Sequence, residues 1–335
     1  MEIVAFSILF FFGLITVFTE SNSLLRWLYI PALFVFMIIV RLQAFFFGGF
    51  EIDIITYAGE MQGSLLLNNI YYLREFIFWF GIRLLYLITS SPFFTFIFLD
   101  FLWIYYLVKT TKFSSPYNLG RGLIIILATS FPFVFGYENI YRQFYATIIL
   151  LYSYSMLDYN INRSYFLFFV SLFIHNLMIF ALPLFLIRRC YKFKLSDRII
   201  ISLLISFIFI IILPFFLNLK GLDITKIDFS FLYFLLFLLL SLLYVYKFRD
   251  NIYSMVKYFP SLLPSLLLIS GFMYIGEEMI TERVSMILII FFLYDIYYYS
   301  VSITNRTYRI IFRLGLLIIF TLPVYLFESS LKFLL

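Results

Sequence analysis

The chain has 335 residues, of which 64% are hydrophobic, 24% aromatic and only 13% charged, with a formal net charge of +6. At a mean hydropathy of +1.04 this excludes a soluble domain, since average domains are nearer half apolar and a quarter charged; lipid is the solvent that suits it. The excess positive charge sits in short basic turns between apolar runs, the pattern of cytoplasmic loops and not of a nucleic-acid surface.

In chain order, the first apolar run, Ile3 to Phe18, has no basic stretch before it and no small-residue cleavage site after it, so a retained helix is expected. A second helix is expected over Leu24 to Val40. The stretch 41–75 carries Arg41, Glu51, Asp53, Glu60, Arg74 and Glu75. Its acidic balance places it outside, as an external loop with an amphipathic segment lying on the surface. Phe76 to Thr89 and Phe93 to Val108 follow, with Lys109, Lys112 and Arg121 marking an inner loop. An outer loop and an inner loop cannot be joined by two full crossings, so Phe76 to Thr89 is expected to be re-entrant or interfacial.

Leu123 to Phe135 then runs outward and Ile140 to Leu157 returns. Tyr165 to Ile187 has basic residues at both ends, Arg163 before it and Arg188, Arg189, Lys192 and Lys194 after it. Two half-helices broken near His175-Asn176 satisfy that pattern, and broken helices are tolerated in a membrane where they line a cavity. Five further spans are expected, over Ile199–Leu217, Phe229–Tyr246, Phe259–Ile275, Val284–Ser300 and Ile310–Phe327. The expected fold is all-α and polytopic, one transmembrane domain over 1–335 with about ten to twelve transmembrane or re-entrant helices.

Several polar groups collect on the expected outer side. Glu138 and Arg142, four residues apart with the acid first, suit an ion pair on a helix surface. Arg142 also opens an apolar helix, and an arginine fork suits phosphate or pyrophosphate. Glu282-Arg283 stands at another expected helix start, as an interfacial anchor or as a second arginine for the same anion. His175, the only histidine, is either a satisfied core side chain or a functional one. Asp53 and Tyr57, one helical turn apart, offer a carboxylate as general base. Tyr71, Tyr72, Tyr137, Tyr141 and Tyr145 suit sugar stacking or an interface belt. One cysteine, Cys190, leaves no internal disulfide framework, and with one histidine a zinc site is not expected.

Two of these stretches together carry a resemblance. Arg142-Gln143-Phe144-Tyr145-Ala146 is followed about thirty residues later by Ser171-Leu172-Phe173-Ile174-His175-Asn176. Upstream lies Arg41 with Gly49-Phe50-Glu51-Ile52-Asp53-Ile54-Ile55-Thr56-Tyr57. The order of features over 1–190 resembles bacterial polysaccharide polymerases of the EpsG/Wzy type, which show an R-Q-x-x-A helix start, a later F-H-x-S and an upstream R…G-x-D-x-x-x-Y. Asn176 and Leu177 depart from that pattern, as does the glycine–aspartate spacing.

The resemblance implies a transferase of the bacterial cytoplasmic membrane with its active site outside. It would join undecaprenyl-pyrophosphate-linked oligosaccharide repeat units, with a flippase and a chain-length regulator as partners. It implies Arg142, Arg283, Arg41, Gln143 and Tyr57 at the pyrophosphate and glycan, and Asp53, His175 and Glu138 as acid, base or acceptor-positioning groups. No nucleotide-sugar or ATP motif is present, and no cofactor is expected. A lipid-linked oligosaccharide flippase, a polyprenyl-phosphate-dependent glycosyltransferase and an O-acyltransferase are the alternatives that the residues leave open.

Overall fold

The computed structural model describes residues 2–47, 52–62, 75–113, 122–189, 194–217, 230–249, 252–275 and 278–326. All regular structure among them is helical, and six of these helices are long and apolar enough to cross a membrane. The protein is an all-α polytopic membrane protein. Tyr71, Tyr72, Arg74, Cys190, Lys192 and the Gly49-Phe50-Glu51 start of the upstream stretch lie outside the described residues, as do Arg121 and 218–229.

Helix α1 spans Glu2–Thr19 and α2 spans Asn22–Phe47, the latter with π-helical turns at Leu25–Tyr29 and Gln43–Phe47. The helix therefore continues past Val40, and Arg41 lies inside it. The expectation that the external loop begins at Arg41 is corrected: apolar Ala44 to Phe47 carry the helix on. Next, α3 (Ile52–Gln62) is the amphipathic segment. It buries Ile54, Tyr57, Ala58 and Met61, one stripe at helical spacing. Then come α4 (Phe76–Thr89) and α5 (Pro92–Phe113).

The run from Leu123 is broken into α6 (Leu123–Thr129) and α7 (Phe131–Glu138) by Ser130, which is extended. Pro132 sits in the first turn of α7, where its missing N–H would have no helical partner anyway. After them, α8 (Tyr141–Met156) and α9 (Ile161–Ile174) form a hairpin closed by reciprocal serine bonds: Ser153 Oγ donates to the Ser164 carbonyl and Ser164 Oγ to the Ser153 carbonyl, at 2.6 and 2.8 Å.

At His175 the backbone becomes extended (φ −153°, ψ 121°), and a 3₁₀ turn, Asn176–Ala181, leads into α10 (Leu182–Arg189). The remaining helices are α11 (Leu195–Leu217), α12 (Ser230–Lys247), α13 (Ile252–Tyr258), α14 (Leu262–Ile275), α15 (Glu278–Val301) and α16 (Arg306–Leu326).

The chain forms two compact units, Met1–Asn176 with Ser300–Leu335, and Leu177–Tyr299. In the first, α1 and α2 are antiparallel: Phe6 meets Phe36 at 5.8 Å between centroids, and Gly13 faces Tyr29. Helix α16 is also antiparallel to α1, with Ser7 bonded to Tyr325 near one end and Glu20 to Arg309 at the other. Helices α5 and α8 run parallel, pairing Phe96 with Tyr141, Trp103 with Phe144 and Tyr106 with Tyr152. This unit thus has two ends, separated by roughly 27 Å for the 18 residues of α1, close to the thickness of a hydrocarbon core.

Helix α4 begins and finishes at the same end of that unit. Its start is tied by Glu75 to Arg142. Its finish is tied by Thr89 to Thr95 on the first turn of α5, beside Phe96 and Tyr141. Phe80, Leu84, Leu87 and Ile88 remain exposed along it, an apolar face for the interface.

In the second unit, Asp295 of α15 caps the start of α14, accepting from the Ser261 N–H at 3.0 Å and the Ser261 hydroxyl at 2.5 Å. Gly271 of α14 lets Ile210 of α11 approach where a Cβ would stand 2.3 Å from its Cδ1.

Candidate functional site

Two buried polar clusters adjoin at the start of α8. The first is built on Asp100, which lies in the apolar run Phe98-Leu99-Asp100-Phe101 of α5 and is wholly buried. A lone carboxylate there would be very costly. It accepts from Arg41 Nε at 2.8 Å and Nη2 at 3.3 Å, from Trp103 Nε1 at 3.0 Å and from the Tyr141 hydroxyl at 2.9 Å. Arg41 also donates to the Tyr137 carbonyl at 3.2 Å, and its guanidinium lies 5.0 Å from the Tyr141 ring centroid. This network joins α2, α5, α7 and α8. The expected role of Arg41 at a pyrophosphate is corrected: its side chain has no exposure and its fork is committed to Asp100 and Tyr137. Arg41 holds the elbow on which Arg142 stands.

The second cluster surrounds Arg142, which directly follows Tyr141. Glu138 and Arg142 are not on one helix, so the expected helix-surface pair is corrected. Helix α7 ends at Glu138, and Asn139 and Ile140 turn the chain before α8 begins. Glu138 is also wholly buried. Gly136, just before this turn, leaves room for Phe144; a Cβ there would stand 2.7 Å from the Phe144 ring.

Arg142 Nη1 forms an ion pair with Glu75 Oε2 at 2.8 Å. Its guanidinium lies 5.4 Å from the Trp79 ring centroid and 5.8 Å from that of Tyr57, within cation–π range. Tyr57 and Trp79 meet edge to face at 5.5 Å, and Tyr57 packs on Phe78 at 5.4 Å. The Tyr57 hydroxyl donates to Asp53 Oδ2 at 3.1 Å. Glu75 Oε1 accepts from the Asn176 N–H at 3.4 Å, which brings the broken end of α9 to the same place. Arg83 Nη1 donates to the Met61 carbonyl at 2.9 Å and ties the last turn of α3 to α4, a cation at a helix C-terminus.

Of the residues expected at a site, the structure brings together Asp53, Tyr57 and Arg142. His175 is adjacent in the chain to Asn176 and is 5% exposed; Gln143 follows Arg142 and is also buried. Arg283 is half-buried in the second turn of α15, in the second unit, because the helix begins at Glu278 and not near Val284. Glu75, Trp79 and Asp100 stand in these two clusters and were not among the residues expected there. An aspartate inside an apolar run was the available signal for Asp100.

The chain matches no protein-family model, no curated protein and no solved structure.

What the geometry offers chemically is a nearly buried guanidinium, its side chain 11% exposed, flanked by aromatic faces. A carboxylate lies two links away through Tyr57. A planar fork held by a fixed carboxylate is pre-organised for an anionic oxygen cluster. The Tyr57 hydrogen bond orients Asp53 without adding a competing charge.

Proposed function

We propose that the chain is a glycosyltransferase that joins undecaprenyl-pyrophosphate-linked oligosaccharide repeat units into a surface polysaccharide at the outer face of a bacterial cytoplasmic membrane. The observation that carries this reading is the convergence of Arg142, Tyr57 and Asp53 with the broken helix at His175. These are the segments on which the sequence resembles repeat-unit polymerases.

The reaction asks for two things of the protein. An acceptor sugar hydroxyl attacks the anomeric carbon of the donor, and its proton passes to a base, for which Asp53 is the candidate. The electrons of the breaking carbon–oxygen bond pass to the leaving pyrophosphate, and Arg142, set by Glu75, stabilises that charge where water is largely excluded. Trp79 and Tyr57 hold the Arg142 guanidinium against aromatic rings. His175, Glu138 and Gln143 are candidates to position the acceptor or the pyrophosphate.

The charge pattern supports the orientation. Arg306, Arg309 and Arg313 lie at the end of α16 that meets Glu20. Arg41 and Tyr137 lie at the other end of α1 and α2, through Phe36. With the arginine-rich end facing the cytoplasm, the Arg142 cluster faces outward.

The test is the surface-glycan profile of cells lacking this gene, complemented with wild type or Arg142→Ala at equal protein level. A ladder that collapses to a single repeat unit, restored by wild type and not by the variant, supports the reading. Loss of even the single unit would assign the chain to export, and an unchanged ladder would overturn both readings.

A further inference from the structure

Far from the Arg142 cluster, three guanidinium groups converge on one carboxylate. Glu20 closes the turn between α1 and α2 with a left-handed backbone (φ 52°), a conformation that non-glycine residues hold only where their surroundings fix it. Its Oε1 and Oε2 accept from Arg309 Nε and Nη2 at 2.8 and 2.9 Å, and Oε1 accepts from Arg313 Nη1 at 3.0 Å. Arg306 Nε stands 3.6 Å from Oε2. Arg309 and Arg313 are anchored further, to the Ile303 carbonyl and the Ser300 hydroxyl. Three guanidinium groups thus face this one carboxylate.

The cluster is displayed at a lipid-water boundary. Arg306 is 68% exposed. Trp27, near the start of α2, and Tyr308 are also exposed, the amphipathic rings that sit at headgroup level. Near the level of the arginines, Phe18 of α1 and Ile311 of α16 present exposed apolar side chains. A soluble anion needs only the cations. A phospholipid uses the cations for its phosphate and the neighbouring apolar side chains for its acyl chains.

We propose that Arg306, Arg309 and Arg313, arranged on Glu20, form a binding site for the phosphate of an anionic phospholipid headgroup. Arg306 supplies the accessible fork, and the half-buried Arg309 and buried Arg313 supply a fixed positive field that solvent screens less. Glu20 keeps the guanidinium groups together against their mutual repulsion. The site is independent of the glycosyl-transfer reading, since it uses none of those residues.

Purified protein in detergent, given phosphatidylglycerol or phosphatidylcholine, tests this by native mass spectrometry of retained lipid and by parallel melting curves. Wild type is expected to retain phosphatidylglycerol preferentially and to melt higher with it. Arg306→Gln, at a mostly exposed position, should melt as wild type without lipid. It should bind phosphatidylglycerol roughly fivefold more weakly, the worth of one basic residue at an anionic surface, while Arg306→Lys keeps most of the preference. Equal retention of the two lipids, or a preference untouched by Arg306→Gln, would overturn the proposal. So would a melting shift of the same size with inorganic phosphate alone, which would reassign the cluster to a soluble anion.

Discussion

Arg41 and Asp100 stand 59 residues apart in sequence and meet at 2.8 Å with neither side chain exposed. Removing one partner of such a pair leaves a buried charge without compensation, which costs about 3–5 kcal/mol. Asp100→Asn is therefore expected to lower the melting temperature of the purified protein sharply. The double variant Arg41→Met with Asp100→Leu should recover a good part of the loss, because it removes both charges. A double variant no more stable than Asp100→Asn would show that the pair is not the source of the effect.

Glu75 and Arg142 should behave differently from that pair, because Arg142 is proposed to touch substrate. Arg142→Lys keeps the charge but loses the planar fork and its stacking on Trp79 and Tyr57. Polymer yield in complemented cells should fall about a hundredfold, the scale for losing one donor to a developing charge. Glu75→Gln should reduce yield less, since the arginine remains but is less well fixed. Equal activity of Arg142→Lys and wild type would contradict the proposed role.

Tyr57 links the carboxylate to the guanidinium. Tyr57→Phe deletes the 3.1 Å hydrogen bond to Asp53 and keeps the ring against Arg142, whereas Tyr57→Ala deletes both. Polymer yield should rank wild type, then Tyr57→Phe, then Tyr57→Ala. Asp53→Asn should be as damaging as any of these if Asp53 is the base, and its retention of full polymer length and yield would remove Asp53 from that role.

The Glu20 cluster predicts a pH-dependent stability. Hydrogen bonding to Arg309 holds the Glu20 carboxyl below its ordinary value against the opposing effect of burial, with help from the charges of Arg309, Arg313 and Arg306. A depressed carboxylate stabilises the fold fully above the ordinary glutamate value of about 4.3, and that contribution fades as pH falls through the lower, folded-state value. The melting-temperature gap between wild type and Glu20→Gln should be widest near neutrality and close as the solution is acidified. A gap constant down to strong acid would contradict this.

Gly136 tests the elbow that presents Arg142. The Cβ of Gly136→Ala would press on the Phe144 ring at 2.7 Å, an overpacking expected to cost about 1–3 kcal/mol. Gly136→Ala combined with Phe144→Leu should recover stability, measured by thermal unfolding.

Sequence alone determined the helical framework, because the spacing of apolar runs and the cost of bare backbone in lipid leave few alternatives. Phe76–Thr89 was bounded correctly, and α8 starts within one residue of the expected Ile140. Conflicting loop charges pointed to a break at His175-Asn176, and the backbone turns extended there. Asp53 and Tyr57 were recognisable as one helical turn. Tertiary structure alone decided which polar groups meet. Glu75 read as one more loop acid until it paired with Arg142, and Arg41 read as a loop cation until Asp100 took it into the core. Helical period says which face a side chain occupies, but nothing in it says which distant helix lies against that face; that choice is made by packing, as where Gly13 admits Ile125 and Gly136 admits Phe144.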